Sequence, residues 1–530
     1  MPPGRAIRGG WPLVCLGVLM LACVVRLYDV TQPVLWMDEA YSVTLAAMPP
    51  SQIVLHAARD VHPPLYYVLL HFWMAVFGKS LLAVRGLSVL CGSLTVLVAM
   101  AISVRLANRR TALIAGILLA LLPIAVRYSQ EVRMYALTGL LLFCATLMLL
   151  RWVMKPDRHV VLVGYGLFMT AALYSHYFAI LAVVTHWLYL LFIGRIQNRP
   201  LIRSRQWWLC NLMVGLGYVP WLPSLWGQLG HTPWVSWIPE VTAQTLPSTL
   251  WLFFGLGAGE DYSIWLFWLI PLAILVATCV PMARDPLPSK PVVLIFCMTY
   301  VPLFLAWLGS YIMPLYTVRY LSVFANGLPI LIALLLAKVA ARSRLWWLPL
   351  MACLAWQGAG LNRLYSEQIE LNGMTDWRDI RLDVAVEHLN QRWQVGDAIV
   401  VDNLFWYYTV QYYNKTGSEA LVYQNGERGD NSGRVPSSFG WKSLIYPKSE
   451  QLYVTDLRTL NGNYGRVWWV SVLPSPDVGQ LPDSWTLEEQ YKGGQARASL
   501  FTLSQPSLPQ AAASLCGSKL SARAICHMRE

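Results

Sequence analysis

About eleven apolar stretches set what this chain can fold into. They run roughly over 11–27, 81–104, 111–126, 134–153, 160–176, 178–194, 207–226, 264–282, 292–313, 319–338 and 345–359, and most approach the ~20 residues that carry a helix across a bilayer. Inside lipid every backbone N–H and C=O must be satisfied within the protein, and continuous apolar runs of this length achieve that as helices. The 13% charged residues are well below the roughly 25% of ordinary globular domains. The reading is an all-α membrane bundle of about eleven spans.

The net charge of +12 forms no single patch, so nucleic acid is not an expected partner. The basic residues instead cluster in alternate loops: Arg5 and Arg8; Arg105, Arg109 and Arg110; Arg151, Lys155 and Arg158; Arg195, Arg199, Arg203 and Arg205; Arg284 and Lys290; Lys338, Arg342 and Arg344. By the positive-inside rule these loops are cytoplasmic. The intervening loops hold Asp38, Glu39, Asp60, Glu131, Glu240, Glu260 and Asp261 and face outward. An odd number of spans sends everything after about residue 360 outward too. The first run shares features with a signal peptide, and Leu21-Ala22-Cys23 with a lipoprotein cleavage site, but removing it would upset the charge alternation, so it is read as a span.

These patterns divide the chain into a membrane domain over 1–360, an exported α/β domain over 361–505 and a polar, disordered tail over 506–530. The first outer loop, 28–80, contains His62 to Phe77, an apolar aromatic segment too short to cross, read as a helix lying along the outer interface. A second outer stretch, Gly227 to Tyr262, carries Trp234, Trp237 and Trp251 and a glycine-rich run over 255–261, read as a surface loop. In the exported domain, Trp377 to Trp393 has helical spacing, Gly396 to Asp402 reads as a turn and a buried strand, and Val467 to Leu473 and Ser499 to Leu503 as further strands. Cys15, Cys23, Cys91, Cys144, Cys210, Cys279, Cys297 and Cys353 sit in apolar runs, whereas Cys516 and Cys526 in the tail are placed where an oxidising compartment would allow a disulfide. No Cys or His spacing marks a metal site.

Asp38-Glu39 follows the first span. Two carboxylates at a membrane surface are costly unless solvated or used, and from the residues alone Asp38 is either a reactive group or an ordinary acid at a helix start. Glu39 orients Asp38, helps to hold a divalent cation, or faces water. Arg133, two residues after Glu131, is either a phosphate-holding fork or the ion partner of Glu131. Arg319 is the one basic residue of its outward loop, which the positive-inside rule does not explain, and is the stronger phosphate candidate. His62 and His176 are lone histidines among aromatics, and Tyr66, Tyr67, Tyr135 and Tyr177 are either stacking residues for sugar or lipid or part of an interfacial aromatic belt.

Four motifs, Asp38-Glu39, His62-Pro63-Pro64-Leu65-Tyr66-Tyr67, Tyr128-Ser129-Gln130-Glu131-Val132-Arg133-Met134-Tyr135 and Tyr174-Ser175-His176-Tyr177-Phe178, in this order resemble the GT-C membrane glycosyltransferases, in particular the bacterial members similar to protein O-mannosyltransferases and the lipid A aminoarabinose transferase. The resemblance covers roughly residues 11–340. It implies a GT-C bundle in the bacterial cytoplasmic (inner) membrane, a sugar donor carried on a polyprenyl phosphate, and transfer at the periplasmic face. Asp38 falls at the family's reaction-centre position. Glu131 falls where relatives keep a second acid, Asp in some of them.

Chemistry of that kind needs a base for the acceptor hydroxyl and cations for the departing phosphate. The expected assignment is therefore Asp38 and Glu131 as catalytic acids, with Glu39, His62, Tyr66, Arg133, Tyr135, His176 and Arg319 binding substrate, by an inverting mechanism. The acceptor is a lipid, a polysaccharide or a protein. A divalent cation stands open, as do the alternatives of a flippase for lipid-linked sugars and an inactive assembly partner.

Overall fold

The computed structural model describes residues 10–197, 200–230, 238–255, 257, 259, 263–283, 290–366, 380–424, 437–473 and 481–504. Trp234, Trp237, Glu260, Asp261, Arg5, Arg8, Arg199, Arg284, Trp377, Cys516, Cys526 and the 506–530 tail lie outside the described residues. The chain forms two compact units. One holds the described parts of 1–381 and 436–449, the other those of 382–435 and 450–530.

The first unit is helical: α1 Trp11–Leu27, α2 Met37–Ala46, α3 Pro50–Ala57, α4 Leu65–Phe77, α5 Leu81–Leu106, α6 Arg109–Ala120, α7 Pro123–Arg127, α8 Tyr135–Met154, α9 Val160–Ser175, α10 Ala179–Gln197, α11 Arg205–Tyr218, α12 Leu222–Leu229, α13 Thr245–Gly255, α14 Ile264–Ala283, α15 Pro291–Gly309, α16 Val318–Leu321, α17 Leu328–Ala340 and α18 Trp347–Tyr365. Among the described residues, α5, α8, α14, α15 and the stretch Val318–Ala340 are long and apolar enough to cross a membrane, and α1, α4 and α9 are shorter apolar helices. The protein is an integral membrane protein of mainly helical build.

Three of the expected runs are interrupted. The 111–126 run breaks between α6 and α7, where Leu122 is extended at φ −67°, ψ 113° ahead of Pro123. Proline disfavours helical geometry in the residue before it. The 207–226 run passes through a 3-10 turn, Val219–Trp221, containing Pro220, and the 319–338 run contains a 3-10 segment, Ser322–Gly327. A helix also occupies part of the expected 227–262 loop: α13 buries Leu250, Trp251, Phe253 and Phe254, an apolar set that the neighbouring glycines obscure in the sequence.

The break after α6 is held by a buried arginine. Arg26, near the end of α1, donates to Ala120 O at 3.0 Å and Leu119 O at 3.4 Å at the end of α6, and its Nε donates to Ser129 Oγ at 3.2 Å. Gly92 of α5 is what admits this arrangement, since a Cβ there would lie 2.0 Å from Ser129 Oγ and 3.1 Å from Arg26 Nε.

A second buried arginine fixes the loop that carries the acidic pair. Arg85 of α5 donates Nε to Glu39 Oε1 at 2.9 Å and an η nitrogen to Glu39 Oε2 at 2.7 Å. Its remaining donors reach Val30 O at 2.7 Å, Pro33 O at 2.9 Å and Val34 O at 3.3 Å. Glu39 Oε1 also accepts Val132 N–H at 3.0 Å. Both side chains are almost wholly buried.

In the second unit, α19 Leu382–Arg392 and α20 Leu404–Tyr413 accompany a six-stranded sheet of β1 Ala398–Val401, β2 Leu421–Tyr423, β3 Tyr453–Val454, β4 Arg466–Val472, β5 Trp485–Gly493 and β6 Ala496–Leu503. The strand order is β3-β2-β1-β4-β6-β5. β1 runs parallel to β2 and β4, while β6 runs antiparallel to β4 and β5. Arg466 holds Asp397 through two hydrogen bonds of 2.8 and 2.6 Å, pinning the turn before β1. Residues 437–449 group with the helical unit despite their place in the sequence, and Gly440 N–H donates to Arg59 O at 2.7 Å.

Two stability outcomes follow. Gly92→Ala lowers the unfolding temperature in detergent, with an overpacking cost of about 1–3 kcal/mol; an unchanged melting curve would show that Ser129 moves freely. Glu39→Gln leaves Arg85 as a buried charge without its counter-ion and costs about 3–5 kcal/mol, read as a lower denaturation midpoint, whereas an unchanged midpoint would show that the pair contributes nothing to the fold.

Candidate active site

Asp38 lies in the first turn of α2, at the positive end of the helix dipole, and is the partly exposed neighbour of the buried Glu39. Its Oδ2 is 3.3 Å from an η nitrogen of Arg319 and 3.7 Å from one of Arg133. Arg133 leaves the turn before α8 and reaches four more groups: Asp38 O at 3.4 Å, Ser42 Oγ at 3.2 Å, Tyr67 OH at 3.4 Å and His62 Nδ1 at 3.4 Å. These distances are long for N–H···O and N–H···N bonds. Buried Arg133 is thus surrounded by acceptors without being tightly bound to any. Arg319 lies over the rings of Trp36 and Tyr320, 5.8 and 5.5 Å from their centroids, which steadies its guanidinium by cation–π attraction.

Asp38, Arg133, His62 and Arg319 are therefore brought together from four separate segments, with Tyr135 and His176 beside them. The rings of His62 and His176 are 5.5 Å apart, His176 and Tyr320 4.9 Å, and Tyr135 and His176 5.9 Å. Glu131 sits elsewhere in the network: its Oε1 pairs with Arg127 at 2.7 Å, so Arg127 and not Arg133 is its ion partner. Glu39 is committed to Arg85, and Tyr66 bonds Ser88 at 2.9 Å. Tyr177 hydrogen-bonds Gln228 and receives Trp221 Nε1–H.

Two neighbours escaped the sequence reading as site residues. Tyr320 directly follows Arg319 in the chain. Asp60, named there only as an outward acid, is buried with Oδ2 4.0 Å from His62 Nδ1. Because His62 Nδ1 faces the Arg133 donor, it acts as an acceptor, and the contact with Asp60 is no ion pair. Burial holds the Asp60 carboxyl up at about 6, against the opposing Arg133 charge. Burial, with Arg133, His176 and Arg319, pushes His62 well below the usual histidine range. Burial, with Arg133 and Arg319, pushes His176 down to about 3. Among the described residues, no three His, Cys, Asp or Glu side chains gather as a cation-binding set.

An apolar cavity of about 340 Å³ opens beside this cluster. His62, His176 and Tyr320 line its polar end, and Leu181, Leu225 and Leu305 are among its apolar walls. Ile180 and Leu229, also on its wall, are about half exposed.

The raised Asp60 value has a sign that can be checked. The folded state binds the Asp60 proton more tightly than the unfolded state, so this residue's contribution to stability is most favourable below pH ~4 and is lost as pH rises to about 6. Asp60→Asn is expected to gain stability relative to the native protein by about 2–3 kcal/mol between pH 4 and pH 7, measured by denaturation midpoints at both pH values. A constant difference would show that Asp60 is not held protonated by burial.

Residues 61–223 match the family profile described as dolichyl-phosphate-mannose-protein mannosyltransferase. Among solved structures, the chain is similar to ArnT from Cupriavidus metallidurans in the apo state, with a TM-score of 0.62 and 14% identity over 93% of this chain and 98% of that one. The structure of ArnT from the same organism bound to undecaprenyl phosphate gives 0.62 and 12% identity with the same coverage. The archaeal oligosaccharyltransferase AglB from Archaeoglobus fulgidus, in complex with an inhibitory peptide and a dolichol-phosphate, gives 0.52 and 12% identity over 95% of this chain and 75% of that one. A sequence search of curated proteins finds no match. The chain thus has the fold of the ArnT and AglB structures, and its residues 61–223 match the mannosyltransferase profile.

Proposed function

We propose that this protein transfers a sugar from a polyprenyl-phosphate carrier to an acceptor hydroxyl at the periplasmic face of the bacterial inner membrane, by an inverting displacement. One observation carries the reading: a carboxylate, Asp38, is shared by two guanidinium groups, Arg133 and Arg319, next to an apolar cavity. A lipid phosphate needs both halves of that arrangement. The polyprenyl chain is seated in the cavity, entering past Ile180 and Leu229, and its phosphate takes the two arginines.

The phosphate competes with Asp38 for the same cations. Its arrival draws Arg133 and Arg319 away from the carboxylate at little cost, because the Arg133 contacts are long, and Asp38 then accepts the acceptor's proton. The acceptor oxygen forms its bond to the anomeric carbon as the bond from that carbon to the phosphate oxygen breaks. The electron pair stays on the phosphate, which leaves as an anion steadied by the arginines. A one-step displacement with inversion needs one base, a role that Asp38 fills alone, and no carboxylate nucleophile. Glu131, tied to Arg127, acts as a positioning residue for the turn that presents Arg133. The loop-charge alternation along the sequence supports the periplasmic assignment.

The test is transfer of labelled sugar from a panel of synthetic polyprenyl-phosphate donors by purified protein, with and without chelator. Asp38→Asn is expected to lower turnover by about 10²–10⁴-fold, with donor still bound; a chelator effect would give a divalent cation a role. Turnover that survives Asp38→Asn in folded protein would remove Asp38 as the base. Donor binding or vesicle flipping without any transfer would favour a flippase or an assembly partner.

A further inference from the structure

Among the described residues, three arginines of the helical unit are almost wholly buried: Arg26, Arg85 and Arg133. Arg85 is paired with Glu39, and Arg133 lies near Asp38. Arg26 differs from both. It is 1% exposed and reaches only neutral oxygens, the carbonyls of Ala22, Leu119 and Ala120 and the hydroxyl of Ser129. Among the described residues no carboxylate pairs with it. Neutral oxygens satisfy its N–H groups but leave its charge uncompensated, and a charge taken out of water is costly unless it is paired.

Arg26 also lines a small cavity of about 20 Å³. That exceeds the roughly 10–15 Å³ needed by one water molecule and is too little for a carboxylate, sulfate or phosphate. Its other polar walls are Thr95, Tyr128, Ser129, Tyr135, Ser322 and Asn326, and no Asp or Glu is among the residues around it. The hydroxyls of Thr95, Ser129 and Ser322 already donate to the carbonyls of Cys91, Ala125 and Arg319. The Tyr135 hydroxyl is buried without a hydrogen-bond partner, and the Asn326 amide brings N–H donors. A positive charge and unspent donors therefore meet in a space of one-atom size that holds no acid. A water molecule there completes hydrogen bonds but leaves the Arg26 charge as it is, whereas a monatomic anion answers both.

We propose that this cavity is a halide site, and that chloride is the counter-ion of Arg26. The ion accepts from the Arg26 guanidinium, the Tyr135 hydroxyl and the Asn326 amide. It also has a place in the architecture. The cavity is walled by α1, α5, the turn before α8 and the 3-10 segment Ser322–Gly327. That turn carries Arg133, and the 3-10 segment begins where α16, which holds Arg319, ends. A bound halide thus ties together, from behind, the two segments that present arginines to Asp38. The inference stands on Arg26 and does not depend on the transfer reading.

The experiment measures the melting temperature of the full-length protein in detergent while sodium chloride or bromide replaces sodium gluconate at constant ionic strength. Chloride and bromide are each expected to raise it by at least about 2 °C, saturating along a one-site curve. Crystals grown in bromide are expected to give an anomalous peak against the Arg26 guanidinium. In Arg26→Gln the halide effect disappears. Because Arg26 also braces the end of α6, a second variant carries the test if that one does not fold: Asn326→Leu removes the amide and is expected to weaken halide affinity about tenfold. Equal melting temperatures in halide and gluconate overturn the site, as does a bromide data set with no anomalous peak there, which makes the occupant water. A halide effect of unchanged affinity in the folded variants overturns it too, since the ion then binds elsewhere.

Discussion

The buried pair of Glu39 and Arg85 is the contact on which the reactive end of this molecule rests. One guanidinium answers a carboxylate on α2 and three carbonyls of the 30–34 loop, and the same carboxylate receives the backbone N–H of Val132. Two ions taken out of water cost several kcal/mol each, and that cost is offset here because the hydrogen bonds of both groups are nearly all made within the protein. Two consequences are geometric. The first turn of α2 cannot rotate, so the neighbouring Asp38 keeps its direction, and the 131–133 turn is tied to the same point, so Arg133 is delivered to Asp38.

Adjacent acids thus have opposite fates. Glu39 is locked and nine-tenths or more of its surface is buried, while Asp38 keeps an exposure of 18% and two loose cationic neighbours. The same contrast recurs among the arginines. Arg26 and Arg85 spend their donors on backbone carbonyls and hold helix ends and loops in place. Arg133 and Arg319 are held at longer range, where a better acceptor can displace their present partners.

The bundle was legible because apolar length is a property of local sequence, and the strands around Val467 and Ser499 were legible because their apolar runs are short and bounded by turns. Asp38 and Arg319 stood out as charges where a membrane protein's topology has no use for them. What the chain does not display locally is pairing. Glu131 answers Arg127, four residues before it on a helical turn, and not Arg133, two residues after it, which such a turn points away from it. Nothing near Glu39 announces Arg85, which lies 46 residues away. The proline breaks at 123 and 220 and the α13 helix were missed for a related reason: apolar content registers in a window average, whereas a single proline or a face of four large side chains among glycines does not. Asp60 became interesting only once its burial was known.

Asp38 and Arg319 are 281 residues apart in the chain, and Arg319 arrives at the start of a late helix. During synthesis the first eight helices are made long before that arginine leaves the ribosome, and in the interval Asp38 has Arg133 as its cationic neighbour but lacks the second. A nascent chain that ends before Arg319 therefore holds only one of the two guanidinium groups that flank Asp38 in the finished fold.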